Sequence, residues 1–295
     1  RSISMSLMKD LEIFWFGSGT GTRGAATFST VTATLSVVSN AIYFDLGMRV
    51  GAVSDNTTSP TARAGYTTIT GIDRLAGTLT SGTNWTTAIT GLTNGDYLLR
   101  YGDAASSATC VVPFGLAALV EGGSSPAAIY SLTRSTDPVR LAGQTSSYAG
   151  IPIEEAIVDM DANIGVQWMG PGQKLCVMNN KDGANLKKQL SAKNQYNRDA
   201  SSKAGVGYSS VEVEGDNGPI KVMFNPFCPR NSAFVGTIDY AETRSIGPAP
   251  HLQNYDKNDF LRVGTDDALE ARFVYYGNNI IRMPVSWYRG TSVGA

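Results

Sequence analysis

Residues 176–190 read CVMNNKDGANLKKQL, and the change of character inside this stretch decides the architecture. Lys174 to Met178 is a short apolar run of strand type. Asn180 to Lys193 then spaces Leu186 and Leu190 four apart, with Lys181, Lys187, Lys188 and Lys193 around them, which predicts a helix capped by Asn180 with one buried stripe. Glu154 to Ile164 predicts another helix just before the strand. A helix, a strand and a second helix in succession indicate an α+β fold. Further on, Val211–Glu214 and Ile220–Phe224 flank Gly215-Asp216-Asn217-Gly218, the pattern of an antiparallel pair.

Toward the N-terminus, Leu7, Leu11, Phe14 and Trp15 predict one face of a helix, with Lys9, Asp10 and Glu12 on the other. Gly17, Gly19, Gly21 and Gly24 end it and predict a flexible connection. Residues 25–110 hold 18 Thr, one Pro, no Lys and no Glu. Branched Cβ atoms favour strands, and Phe28 to Val37, Tyr66 to Ile72 and Tyr97 to Tyr101 alternate, with turn chemistry at Asn94-Gly95, so this segment reads as a small all-β module. Toward the C-terminus, Pro226, Pro229, Pro248 and Pro250 predict extended segments. Leu269–Tyr276 and Ile280–Tyr288, separated by Gly277-Asn278-Asn279, predict a long hairpin whose second arm Pro284 places at an edge.

Composition narrows the function. The 295 residues carry 24 Lys and Arg against 25 Asp and Glu, so a net charge of -1 supplies no field for gripping nucleic acid or an anionic membrane. Cys110, Cys176 and Cys228 lie far apart and predict neither a disulfide framework nor a zinc site, which fits a reducing cytoplasm. The sequons at Asn56 and Asn84 read as ordinary loop chemistry. No run approaches the ~20 apolar residues of a membrane helix.

Catalytic chemistry finds few carriers. His251 is the one histidine and sits among prolines without a nucleophile or carboxylate nearby, so it reads as a loop residue. Gly19-Thr20-Gly21-Thr22-Arg23-Gly24 spells G-x-G-x-x-G, but a helix precedes it and strand-type sequence follows, the reverse of a dinucleotide site. Glu154, Glu155, Asp159 and Asp161 read as a solvated helix face rather than a cation site, and the lysines around Leu186 likewise. The sequence thus predicts no enzyme, no catalytic residue, no cofactor and no metal. What it has in quantity is strand, turn and extended chain, the material of assembly.

The order of these elements resembles the major capsid proteins of tailed bacteriophages, the Hong Kong 97-type fold. LEIFWFGSGTG (11–21) resembles the end of that family's spine helix and its glycine-rich exit; CVMNNKDGANLKKQL resembles the strand and helix of its axial domain. GPIKVMFNPFCP (218–229) resembles the hairpin return that follows, and Gly247-Pro248-Ala249-Pro250 with residues 268–288 resembles the return to the peripheral domain. The resemblance implies a spine-helix end over 1–24, an inserted β-module over 25–110, an axial domain over 111–264 and a C-terminal hairpin over 265–295. It also implies that an N-terminal arm and extended loop lie upstream of Arg1.

The function so implied is a shell subunit, self-assembling into hexamers and pentamers of an icosahedral virion head built in the host bacterial cytoplasm around double-stranded DNA, which it touches only incidentally. Portal, scaffolding and decoration proteins are the further partners of such a head, and no membrane is. The loop 194–207 falls at the axial tip, which makes Asn197, Arg198 and Asp199 the implied subunit contacts. Two alternatives stand beside this reading. One is an encapsulin-like compartment with protein cargo; the other is a tail-tube or carbohydrate-binding β protein using exposed Trp85 and Tyr66.

Overall fold

The computed structural model describes residues 3–56, 60–103, 112–121, 128–129, 132–168, 172–193, 211–216, 218–247, 250–254, 260–262 and 269–294. Helix α1 (Ile3–Phe16) leads. Its buried positions are Asp10, Ile13 and Phe16, whereas Leu7, Leu11, Phe14 and Trp15 are only partly covered. The buried face is therefore rotated from the expected one, because two arginines draw Asp10 inward. The glycine-rich exit is also packed rather than flexible. Gly19 sits at φ +77°, and a Cβ there would lie 2.5 Å from the Phe114 ring, so only glycine fits without displacement.

Strands β1 (Thr22–Phe28), β2 (Thr32–Leu35), β3 (Arg49–Val53), β4 (Thr67–Asp73), β5 (Thr78–Ser81) and β6 (Tyr97–Arg100) close a barrel in the order β1-β2-β5-β4-β3-β6. Alternation explains its interior: Ala33, Leu35, Val50, Ile69, Leu79 and Leu98 are buried, while Thr34 and Thr70 face solvent. Closure leaves these strands no free edge. Trp85 fills the barrel and is wholly buried, with its Nε1 donating to the Val31 carbonyl at 3.1 Å. The exposed, sugar-stacking role expected of Trp85 is therefore wrong, since hydrophobic burial claims the indole. Tyr66 does reach the surface, against Tyr101 with ring centroids 4.6 Å apart.

The second sheet has six strands. Strands β7 (Gln144–Ser147), β8 (Lys174–Met178), β9 (Val211–Gly215), β10 (Gly218–Phe224), β11 (Ser232–Thr237) and β12 (Trp287–Thr291) run in the order β7-β12-β11-β8-β10-β9. The β7/β12 and β8/β10 pairs are parallel and the others antiparallel. Every residue of β11 is buried, because both faces are covered. On one side lie helix α2 (Ile153–Gln167), through Ile153, Ile157, Met160 and Ile164, and helix α3 (Asn180–Lys193), through Leu186; on the other lie Phe16, Leu116 and Leu119. Each such aliphatic side chain, fully buried, contributes about 1.5–3 kcal/mol. The cap of α3 is Asn179, one residue before the expected Asn180: its Oδ1 accepts from the Lys181 N–H at 3.1 Å while its Nδ2 donates to the Cys228 carbonyl at 2.7 Å.

Between β11 and β12 the chain runs out and back as a ribbon of nested antiparallel pairs. Ala241–Ser245 pairs with Gly277–Ile281, His251–Leu252 with Phe273–Val274, and Leu261–Arg262 with Leu269–Glu270. The hairpin expected over 265–295 does not form. Gly277-Asn278-Asn279 begins a strand instead of a turn, because the Phe114 backbone engages both asparagines: its N–H donates to Asn278 Oδ1 and its carbonyl accepts from Asn279 Nδ2, each at 2.8 Å. Pro284, without an N–H, opens a 3-10 turn over Pro284–Ser286, and β12 beyond it lies inside the sheet rather than at an edge.

Candidate assembly surface

Three features set this surface: the ribbon, the seam between α1 and the barrel, and a cavity beside the ribbon's root. A two-stranded ribbon is marginally stable alone and usually gains stability by burying one face. This one leaves large apolar side chains in solvent, with Ile246 82%, Leu269 70% and Phe260 58% exposed, and with Phe273 and Tyr276 also open. Its root is tied to the body by the buried Asn279, whose Nδ2 donates to the Phe114 carbonyl, and within the root Glu242 pairs with Arg244 and Arg282.

At the seam, Asp10 of α1 accepts from Arg23 at 2.8 Å and from Arg100 at 2.5 Å, joining the helix to β1 and β6. Arg23 also donates to the Tyr43 carbonyl and lies 3.8 Å from Asp103. Burial pushes the Asp103 carboxyl up to about 6, against the opposing pull of Arg23 and Arg100. Beside this cluster a groove of about 1030 Å³ is lined by Leu7, Ile42, Leu46, Arg74 and Phe227, and the ribbon's Phe273 forms part of its wall.

The cavity beside the ribbon's root measures about 440 Å³. Ile129, Leu132, Leu141, Trp168, Ile281 and Met283 make most of its wall. Its charged lining residues are Arg134, Arg140 and Arg282, with no carboxylate among them. Trp168 Nε1 is buried with no hydrogen-bond partner among the described residues, which carries a desolvation cost of about 1–3 kcal/mol unless an acceptor arrives.

The residues singled out in the sequence fall at scattered places. Asn197, Arg198 and Asp199 lie outside the described residues. His251 pairs through its backbone with Val274 in the ribbon. Asp159 accepts from Tyr148 Oη at 2.7 Å, and Lys187 sits 5.0 Å from the Phe224 ring centre. Cys176 and Cys228 are buried free thiols, and burial pushes Cys176 up to about 12. Among the described residues no group of three His, Cys, Asp or Glu is placed to hold a metal, and no helix is long and apolar enough to cross a membrane. Sequence reading missed Asp10, Arg23, Asp103 and Trp168. Nothing local marks them, since each acquires its role from residues distant in the chain.

The described chain is thus a mixed α/β protein with a small closed barrel, a two-faced sheet and a two-stranded ribbon. No family model matches it, and no curated protein matches it in sequence. Among solved structures it is similar to a chain of the Cyanophage A-1(L) capsid asymmetric unit, at 14% identity and a TM-score of 0.46. The alignment covers 66% of this chain and 64% of that one, so the chain spans just under two thirds of that structure's length.

Proposed function

We propose that the chain is a structural subunit of a self-assembling shell and performs no catalysis. The observation that carries this reading is the ribbon, which projects apolar side chains from a fold that does not bury them. Solvent-exposed Ile, Leu and Phe on an element that is marginal alone are stabilised by a neighbouring copy, and a surface that meets a different surface on the next copy closes into rings. Many weak copies of one contact then make a stable container. In its finer form, resting on the sequence resemblance, the subunit is a Hong Kong 97-type major capsid protein whose hexamers and pentamers enclose double-stranded DNA in a virion head. Near-neutral charge suits a wall that confines DNA without gripping it.

The test is to express the chain with its native upstream residues and follow it by size-exclusion chromatography with light scattering and by negative-stain electron microscopy. A monomer of this length has a radius of gyration near ~19 Å. Rings or closed particles are the expected result, and nucleic acid inside them separates a virion head from a protein-filled compartment. A chain that stays monomeric at high concentration, alone and with candidate scaffolds, refutes the reading.

A further inference from the structure

The net charge of -1 is unevenly spread over the chain, and one face of the barrel gathers positive charge. Residues 25–110 hold four arginines and five aspartates. Arg63 pairs with Asp96, whereas Arg49, Arg74 and Arg100 all line one trough along the seam with α1. The trough consists of the groove of about 1030 Å³ and an adjoining depression of about 450 Å³, which share Ser6, Asp45, Leu46 and Arg100. Lys9 adds a fourth cation to its lining, and Asp45 is the one carboxylate there. That carboxylate is already held by Lys9 at 2.8 Å and faces Arg74 at 3.6 Å.

In the depression the cations stand beside aromatic rings. The Arg49 guanidinium lies 5.3 Å from the Tyr66 ring centre and makes no ion pair among the described residues. The Tyr101 N–H donates to the Arg49 carbonyl at 2.9 Å, so these two side chains leave neighbouring strands side by side. Arg100 reaches Asp10 through Nη1 and keeps 49% of its side chain in solvent. Tyr66 and Tyr101, in contact with each other, are about half exposed. A ring-free polyanion would use the arginines and leave the tyrosines idle, and a neutral sugar would do the reverse. A nucleotide unit uses both, because its base stacks on an aromatic face and its phosphate accepts from guanidinium. We propose that the trough binds single-stranded nucleic acid, with a base on Tyr101, the adjoining phosphate at Arg49 and Arg100, and the next phosphates toward Arg74 and Lys9.

The strand is single because a duplex keeps its base faces stacked on one another and leaves the tyrosines nothing to stack against. The near-neutral chain accommodates such a site because cations in one trough act over about 10 Å at ordinary ionic strength, whatever the sum over the whole surface. This inference goes beyond the shell reading and does not depend on it, since the barrel has its ligand whether or not the subunits close into particles.

The experiment follows the fluorescence anisotropy of a labelled oligothymidine of about ten nucleotides with the full chain, kept dilute as unassembled subunits. Binding is expected to weaken with salt at a log-log slope of roughly 1.4–2.8, the value for two to four phosphate contacts on a single strand. Tyr101→Leu and Arg49→Gln should each weaken it at least about fivefold, and a duplex of the same length should bind at least about fivefold more weakly than the single strand. Both positions are exposed, and circular dichroism checks that the variants remain folded. Particle formation by the same variants, measured in parallel, keeps the outcome separate from the shell reading. An oligonucleotide that does not bind, a duplex or linear polyphosphate that binds equally well, or variants that bind like the parent overturn the proposal. A neutral oligosaccharide that binds through Tyr101 while oligothymidine does not would assign the rings to sugar and overturn it as well.

Discussion

Asp10 of the leading helix accepts a hydrogen bond from Arg23 of the first barrel strand at 2.8 Å, with both side chains almost completely buried. The pair fastens α1 to the barrel, and Arg100 closes it from the other side. Removing one member leaves the other charged and buried, at a cost of about 3–5 kcal/mol. Asp10→Leu and Arg23→Met should each lower subunit stability by about that much in urea unfolding, whereas the double variant should lose clearly less than their sum. Additive losses would show that the two charges do not interact.

Asp103 makes the same region sensitive to pH. Its carboxyl is raised from 3.8 to about 6, so the folded chain holds that proton more tightly than the unfolded chain does. Stability from this group is therefore full below the lower value and declines as pH rises through about 6. The difference corresponds to roughly 3 kcal/mol at pH 7, at about 1.4 kcal/mol per unit. Asp103→Asn should be more stable than the parent at pH 7 and nearly equal to it at pH 4, as read from unfolding curves across that range. A parent chain that gains stability from pH 5 to pH 7 through this residue would contradict the assignment.

Asn279 anchors the ribbon's root by donating to the Phe114 carbonyl and accepting from Thr243 Oγ1 at 2.9 Å. Asn279→Ala removes both bonds in a buried setting, for an expected loss of about 1–3 kcal/mol. Hydrogen exchange should show the loss concentrated at Ala241–Ser245 and Gly277–Ile281. Uniform deprotection would point to global unfolding and not to a local anchor.

The buried thiols give a probe of native packing. Burial raises the Cys176 thiol to about 12 and the Cys228 thiol higher still, so neither presents thiolate near neutrality. In a Cys110→Ser background, a disulfide reagent at pH 8 should leave the folded subunit unlabelled and label both thiols in denaturant. Rapid labelling of the native chain would place them at the surface.

The legible parts of the sequence were those governed by local rules. Leu186 and Leu190 announced α3, the flanks of Gly215–Gly218 announced the β9/β10 pair, and the threonine-rich alternation announced the barrel strands. The misread parts depended on contacts between distant residues. Asp10 looks like a solvent residue until Arg23 and Arg100 are placed beside it. Asn278 and Asn279 look like a turn until the Phe114 backbone engages them, and Trp85 looks available until a barrel closes around it. The unsatisfied Trp168 N–H had no signal at all, since an absent partner leaves no mark on composition.

The position of β12 sets the timetable of synthesis. It lies between β7 and β11, so residues 287–291 must leave the ribosome before those two strands can be joined. The barrel strands all lie before residue 101 and have their hydrogen-bonding neighbours much earlier. A nascent chain therefore carries a finished barrel and a split sheet until residues 287–291 have emerged, and the ribbon, whose root adjoins that split, acquires a fixed direction only then.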